Sequence, residues 1–292
     1  MKDSMICSAL IFFVLTSLVR AQDNDFPVIT GPYLGQTLPV NEPAVFAPGI
    51  VTTDAGNHSS PAFSPDDREI YWSMNYKIWF TKLDTEGWSR PEMLSICKED
   101  SYMYDNPFIS PDGKKLFFTS SRPLNGKQEK YQEYIWYAER TTSGWTEPRS
   151  VGAEVNTVRL HWSISVSDSG TLYCTIGDDI YYAVLTDGEY TKPTDIGPAI
   201  NTSAVETCPY IAPDESYLVF TRFDETNVKN SGVFISFRDK SGNWSPAVIA
   251  EGGTKEKGGL SPRISPDGNY LFYVNGGVWW MPATFIEELR PK

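Results

Sequence analysis

The only two histidines of the chain stand at the same distance from a recurring turn. His58 and His161 lie six residues before the turn serine, and the same count from the other turns reaches Tyr104, Glu206 and Gly259. Imidazole and carboxylate groups bind divalent metals, and imidazole also transfers protons near neutral pH. The column therefore predicts a divalent metal held by His58, His161 and Glu206, or acid–base chemistry by His58, Tyr104 and His161. The alternative is that these residues only line a narrow, water-filled channel.

Two arginines are predicted to lie beside this column. Arg122 and Arg222 each follow a second strand, and the loops after second strands should open on the same side as the column. A guanidinium group pairs well with a carboxylate or sulfate, so Arg122, Arg222 and Glu206 are predicted to bind a ligand such as an acidic glycan. The alternative is a salt bridge to a neighbouring carboxylate, for example Asp105 or Asp224.

These residues must be positioned by a unit that recurs five times. Its turn combines a proline, which presets φ, an aspartate, which bonds to the backbone, and a glycine, which accepts positive φ. The turns are Ser64-Pro65-Asp66, Ser110-Pro111-Asp112-Gly113, the variant Ser167-Asp168-Ser169-Gly170, Ala212-Pro213-Asp214 and Ser265-Pro266-Asp267-Gly268. Strand-like runs rich in aromatic and β-branched residues flank each turn.

Two further strands recur in the units. The third is centred on Ile78, Ile135, Ile180, Val233 and Val278, and the fourth follows a Trp or Tyr and a Pro, as at Trp88-Ser89-Arg90-Pro91. Four short antiparallel strands repeated five times indicate an all-β, five-bladed β-propeller. The fifth unit lacks an outer strand, so the segment 41–53 is predicted to complete that blade and close the ring. The predicted blades are 58–98, 104–157, 161–202, 206–253 and 259–281 with 41–53.

The S-P-D-G turn followed by an aromatic strand resembles the WD-repeat-like repeat of TolB-type propellers. The lead-in, with Pro32-Tyr33-Leu34-Gly35-Gln36 and Phe46-Ala47-Pro48-Gly49-Ile50, is similar to the opening of secreted, single-domain members. The resemblance covers nearly all of the chain after residue 21 and implies the fold. It does not imply one activity, because the family includes binding and scaffold proteins and similar propellers serve as polysaccharide lyases.

The first 21 residues have the pattern of a signal peptide that is cleaved near Ala21. Lys2 precedes an apolar run from Met5 to Val19, which is short for a membrane span. The protein is therefore predicted to be periplasmic or secreted, with a lead-in at 22–40. The chain carries a net charge of −12, which argues against nucleic acid as a partner. We also expect a monomer.

Cysteine spacing adds little to the functional prediction. After cleavage, Cys97, Cys174 and Cys208 would remain, an odd number without C-x-x-C spacing, so that one disulfide or three buried thiols are both compatible. The sequence also lacks G-x-S-x-G, G-x-x-x-x-G-K-[ST] and H-E-x-x-H motifs.

Three functions fit these features. The leading hypothesis is a non-enzymatic exported propeller that binds a protein or glycan through its channel face, with the loops Pro123–Glu133, Thr226–Ser231 and Gly252–Gly258 as candidate contacts. The second is a lyase-like enzyme acting on uronate-containing glycans, in which Arg122 and Arg222 neutralise the uronate carboxylate. The third is a structural module of an envelope assembly.

Overall fold

The computed structural model describes residues 26–125, 132–157, 163–250 and 259–292. The predicted signal segment 1–21, His161 and the loop Gly252–Gly258 lie outside these residues. The described chain is almost entirely β and forms the predicted five-bladed propeller of four-stranded antiparallel sheets.

Each blade runs from an inner strand, which lines the channel, to an outer strand. The first strand of the chain, β1 (Ala44–Val45), is the outer strand of the last blade. Blade one contains β2 (Ala62–Phe63), β3 (Glu69–Met74), β4 (Lys77–Lys82) and β5 (Glu92–Met93). Blade two contains β6 (Tyr104–Ile109), β7 (Lys115–Ser120), β8 (Tyr134–Thr141) and β10 (Arg149–Ser150), with β9 (Gly144–Trp145) paired to β8.

The remaining blades follow the same order. Blade three contains β11 (Ile164–Val166), β12 (Leu172–Ile176), β13 (Asp179–Ala183) and β16 (Thr194–Asp195), and carries the hairpin β14 (Leu185–Thr186) and β15 (Glu189–Tyr190). Blade four contains β17 (Val205–Ile211), β18 (Tyr217–Phe223), β19 (Gly232–Phe237) and β20 (Val248–Ile249). Blade five contains β21 (Leu260–Ile264), β22 (Tyr270–Val274) and β23 (Val278–Pro282). Short helices span Tyr33–Gly35, Ser95–Cys97, Val228–Asn230 and, as α1, Phe285–Leu289.

The ring is closed as predicted. Ala44 and Val45 of β1 pair with Trp280 and Trp279 of β23, so the first strand of the chain completes the last blade. The lead-in contacts both blades at this closure, because the Trp88 indole of blade one donates a hydrogen bond of 2.7 Å to the Gly31 carbonyl and the Tyr33 ring centroid lies 5.4 Å from that of Trp280 in blade five. The tail after β23 is held against the ring, since Phe285 and Ile286 of α1 are buried in the core.

The recurring turn forms between the inner and second strands of every blade. In blade one, the Ser64 hydroxyl donates to Asp66 at 2.6 Å and accepts from the Glu69 amide at 2.9 Å. The fourth turn residue has a positive φ in all five blades, and this residue is Asp67, Gly113, Gly170, Glu215 or Gly268. Glycine relieves the backbone strain there in three of the five turns.

Aromatic and aliphatic side chains fill the spaces between blades. Phe272 stacks on Trp280 with 5.7 Å between ring centroids, and Phe46 meets both rings edge-on.

The three cysteines of the described chain are buried free thiols, so no disulfide joins Cys97, Cys174 or Cys208. None of the described helices is long and apolar enough to cross a membrane.

Candidate functional site

A pocket of about 490 Å³ lies at the channel end where the inner strands begin. We call it the mouth pocket and define it by His58, Tyr76, Asp105, Asn106 and Glu133, which lie in its wall. The residues come from the segment before blade one, from the β3–β4 turn and from blade two. The polar part of the pocket therefore lies between two neighbouring blades, and Thr207, Cys208, Phe223, Leu260 and Val274 of blades four and five complete the wall.

An imidazole–carboxylate pair is the polar centre of the mouth pocket. His58 Nδ1 lies 3.1 Å from Asp105 Oδ2, and the His58 side chain is 46% exposed while that of Asp105 is 10% exposed. The hydrogen bond to Asp105 raises the pKa of His58 above its ordinary value, although partial burial opposes the change. The imidazole is thus held facing the solvent by a nearly buried carboxylate.

Glu133 adds a second carboxylate to this pair. Burial and the negative charge of Asp105 raise the pKa of Glu133 to about 7, and the nearby His58 partly offsets this rise. Near neutral pH, Glu133 is therefore present in both protonation states, and it can donate a hydrogen bond as well as accept one. Hydroxyl groups also both donate and accept hydrogen bonds, so they are suitable partners for Glu133.

Tyr76 brings an aromatic ring to the pocket through a strained turn. Met74 pairs with Lys77, so Asn75 and Tyr76 form a two-residue hairpin loop, in which φ is +52° and +56°. Asn tolerates this left-handed conformation, whereas a bulky residue such as Tyr is an outlier there. The Tyr76 ring is 46% exposed, and its centroid lies 4.6 Å from that of His58. The strain suggests that the ring is held there for a purpose other than stability.

A β-bulge in the inner strand directs Asp105 into the pocket. The register of β6 against β7 shifts between Asp105 and Phe108, and Asn106 has φ of +52°. The Asn106 amide donates to Ser73 Oγ of blade one at 3.1 Å and to Asp105 Oδ1 at 2.7 Å. The same shift recurs around Cys208 and Ser261 in blades four and five. The bulge therefore fixes both the Asp105 carboxylate and the contact between blades.

The predicted column faces away from the channel in these blades. Tyr104 and Glu206 are fully buried, and a side chain at Gly259 would contact Tyr273 and Val233. Neighbouring strand residues point to opposite faces, so the residues one position later, Asp105, Thr207 and Leu260, line the mouth pocket instead. Among the described members of the column, only His58, which precedes its strand, also lies in the pocket. Tyr104, Glu206 and Gly259 therefore lie near the mouth end of the channel but on the strand face that points away from the pocket.

Glu206 and Arg222 bind each other rather than the pocket. Arg222 Nε donates to Glu206 Oε1 at 2.6 Å, and Arg222 Nη2 donates to the Ile200 carbonyl at 2.9 Å. The Thr202 amide and hydroxyl donate to the two Glu206 oxygens at 2.9 and 2.7 Å. The arginine partner is thus a glutamate directly opposite on the neighbouring strand, not Asp224 as the sequence alternative suggested.

Tyr104 and Arg122 are also held by neighbours. Tyr104 is buried against Phe118, and burial raises the pKa of its hydroxyl to about 12. The Arg122 guanidinium lies 5.0 Å from the Trp136 ring centroid. Asp105, the partner suggested for Arg122, pairs with His58 instead.

The predicted metal set is not assembled from the described residues. Both oxygens of Glu206 already accept hydrogen bonds, and His161 lies outside the described ranges. Within those ranges, no group of three His, Cys, Asp or Glu side chains could hold a metal ion. The metal site therefore remains a prediction that depends on His161.

Of the predicted contact loops, Pro123–Glu133 is described in part and Thr226–Ser231 in full. The blade-two loop ends at Glu133, which lines the mouth pocket. In blade four, Asp224 holds its own loop by accepting hydrogen bonds from Thr226 at 2.6 Å and Asn230 at 2.9 Å. The sequence pointed to Glu133 only through loop length. Tyr76 was missed, although Asn75-Tyr76 between two strand runs is a hairpin signal.

The fold and pocket define a five-bladed propeller with a polar, aromatic pocket at one end of its channel. No protein-family model and no curated protein matches the chain. Among solved structures, it is similar to a TolB-like protein from Agrobacterium tumefaciens, with 17% identity over 77% of this chain and 70% of the other and a TM-score of 0.50. It is also similar to the gluconolactonase XC5397 from Xanthomonas campestris, with 14% identity, 89% and 95% coverage and a TM-score of 0.50.

A third similar structure is the GH43 protein BlXynB from Bacillus licheniformis, with 10% identity, 84% coverage of this chain, 57% of the other and a TM-score of 0.50. These identities are low, so the similarities concern the fold alone. The neighbours include TolB-like and gluconolactonase propellers, which supports a propeller family without selecting the TolB type.

Proposed function

We propose that this protein binds a glycan at the mouth pocket and that the bound part of the glycan is a neutral sugar. The observation that carries this proposal is the combination of the His58–Asp105 pair, Glu133 and the half-exposed Tyr76 ring in one pocket. Sugars present hydroxyl groups along their edges and C–H groups on their faces. The polar groups suit the hydroxyls, and the aromatic ring suits a face.

Charge favours a neutral sugar over the acidic glycan expected from the sequence. The mouth pocket contains two carboxylates, while Arg222 is neutralised by Glu206 and Arg122 lies against Trp136. A uronate carboxylate entering this pocket would meet Asp105 and Glu133 without a free guanidinium among the described lining residues. Repulsion of this kind acts against an anionic ligand.

The size and position of the pocket support the same proposal. A volume of about 490 Å³ is within the usual range for small-ligand sites and suits one or two sugar rings. The pocket opens at the end of the ring where β7 ends and β8 begins, so a longer chain can continue outside it. We further propose, from the S-P-D-G repeat and the apolar N-terminal run, that the protein is an exported, TolB-type propeller.

Binding of a panel of neutral and uronate-containing oligosaccharides to the chain from residue 22 tests the proposal. Neutral oligosaccharides should bind, and Tyr76→Gly should weaken binding about tenfold through loss of the ring. Arg122→Ala is the matched control from the same face and should leave binding unchanged. Binding of uronates alone, lost in Arg122→Ala, would instead support the acidic-glycan hypothesis. Absence of glycan binding with an envelope protein co-purifying would support the structural module.

A second candidate function, acid–base catalysis on the bound sugar, is favoured by one observation. Glu133, with its pKa of about 7, lies beside His58, and groups that titrate near neutrality are typical of catalytic acids and bases. Glu133→Gln should then abolish turnover and leave sugar binding within about twofold. Equal turnover in the wild type and this variant would exclude Glu133 as the acid or base, and no turnover by the wild type would leave binding as the only function.

A further inference from the structure

The other end of the channel contains a second, separate cavity. Its volume is about 200 Å³, and each blade contributes an apolar wall residue, namely Phe63, Phe108, Val166, Ile211 and Ile264. Prolines from four of the recurring turns, Pro65, Pro111, Pro213 and Pro266, also line it. The wall is therefore mostly apolar, and its proline turns are conformationally restricted. We call this space the lower cavity.

Arg263 crosses the channel above the lower cavity. It belongs to β21 of blade five, and its Nη1 donates a hydrogen bond to the carbonyl of Pro107 in blade two. Blades five and two are not neighbours in a ring of five, so the side chain must reach across the channel. Along both strands, Leu260 and Asn106 line the mouth pocket on one side of this contact, while Ile264 and Phe108 line the lower cavity on the other.

The Arg263 guanidinium lies 5.5 Å from the Phe108 ring centroid and is within reach of the charge of Asp105, but no described carboxylate pairs with it directly. The residue is 4% exposed, lines the lower cavity and forms no ion pair with any described carboxylate. Its Nη2 group is buried and has no hydrogen-bond partner among the described residues. Burial lowers the pKa of Arg263 to about 10, so that the guanidinium remains charged at neutral pH. A buried charge without a counter-charge is costly, and an anion in the cavity would offset that cost.

We propose that the lower cavity binds a small monocarboxylate with an apolar body, whose carboxylate pairs with the Arg263 guanidinium. The guanidinium presents paired N–H donors that match a carboxylate, and the five apolar wall residues suit a hydrocarbon body. A cavity of roughly 150 Å³ holds a benzene ring, so the lower cavity has room for a ring of that size with one carboxylate. Asp168, the acidic residue at this cavity, is exposed at its rim and meets the apolar end of the ligand.

This proposal is independent of glycan binding at the mouth pocket. The two spaces have opposite electrostatic character, since Asp105 and Glu133 line the mouth pocket and Arg263 lines the lower cavity. A failure of one site would leave the other untouched, because their lining residues do not overlap. Variants of the lower cavity should therefore keep any sugar binding.

Calorimetric titration with benzoate, acetate and benzyl alcohol tests the lower cavity. Benzoate should bind at least about tenfold tighter than benzyl alcohol, which has the ring without the charge, and tighter than acetate, which has the charge without the ring. Arg263→Met should weaken benzoate about ten- to hundredfold. Arg122→Met is the matched control and should bind benzoate as the wild type does, because Arg122 lies against Trp136 and outside the lower cavity.

A cavity-filling variant covers the case in which Arg263→Met does not fold. Val166→Phe keeps Arg263 and fills the space, so benzoate binding should be lost while thermal unfolding remains cooperative. Benzyl alcohol binding as tightly as benzoate, benzoate binding that persists in Arg263→Met or Val166→Phe, or no benzoate binding by the wild type would each overturn the proposal.

Discussion

Two arginines, Arg222 and Arg263, are buried to the same degree, and only one of them is neutralised. Arg222 is 6% exposed and Arg263 is 4% exposed, and each lies near phenylalanine rings. Arg222 bonds to Glu206 at 2.6 Å, whereas Arg263 bonds only to a carbonyl among the described residues. A buried pair is part of the fold, while a buried charge without a partner is a candidate for recognition. Burial alone therefore does not distinguish structural from functional arginines.

The largest loss of stability is expected when the ion pair between Glu206 and Arg222 is broken. Arg222→Met leaves Glu206 buried, negative and without its cation, so the free energy of unfolding should fall by about 3–5 kcal/mol. Urea denaturation of the purified protein measures this change. The control is the double variant Arg222→Met with Glu206→Leu, which removes both charges and should recover most of the loss. A double variant as unstable as the single variant would show that loss of the ion pair does not cause the fall in stability.

The same substitution at Arg263 should not lower the free energy of unfolding, in contrast to Arg222→Met. Arg263→Met removes a buried charge that forms no direct ion pair with a described carboxylate, so we expect stability to stay unchanged or to rise by about 1–2 kcal/mol, even though the Pro107 carbonyl loses its donor. The measurement is urea denaturation without added carboxylates. A loss of more than about 2 kcal/mol would mean that Arg263 is structural, and the contrast with Arg222 would then disappear.

The sequence predicted the blades well because the recurring turn encodes local geometry. Proline and aspartate set the turn, and the proline after Trp88 marks the outer strand that follows at Glu92–Met93. The face of each inner strand could not be predicted in the same way. Glycine and asparagine are the usual signals of positive φ, and Cys208 and Ser261 give no such warning of a bulge.

The bulge also explains why the Glu206–Arg222 pair was missed. Beyond the turn of blade four, Ile211 pairs with Leu218, and a regular hairpin would continue to place Phe223 opposite Glu206. The shift between Thr207 and Tyr210 moves the register by one residue and brings Arg222 opposite Glu206 instead. A side-chain partner here depends on one extra residue in the strand, which repeat spacing does not reveal.

The strained Asn75–Tyr76 turn at the mouth pocket is a second place where a side chain suited to binding lowers the stability of the fold. Tyr76→Gly removes the left-handed strain of a bulky residue and should raise the free energy of unfolding by about 1 kcal/mol, after the greater freedom of glycine in the unfolded chain is counted. The same variant should bind sugar about tenfold more weakly. Asn75→Gly is the matched control, and it should change both properties less because Asn already tolerates positive φ. Thermal unfolding with sugar titration measures both, and a less stable Tyr76→Gly would contradict the strain argument.

The smallest expected effect is the pH dependence of stability that arises from the titrating groups of the mouth pocket. The folded-state pKa of Glu133 is about 7 against an ordinary value of 4.5, so between these values the folded protein binds more protons than the unfolded chain. Stability should therefore fall as pH rises from about 5 to 7, by less than about 1 kcal/mol per pH unit at this partly exposed site. His58 acts in the same direction, because its raised pKa gives stability that is lost as pH rises through the folded value. Urea denaturation at several pH values should show a flatter profile for Glu133→Gln, and an unchanged slope in that variant would remove Glu133 from the titrating pair.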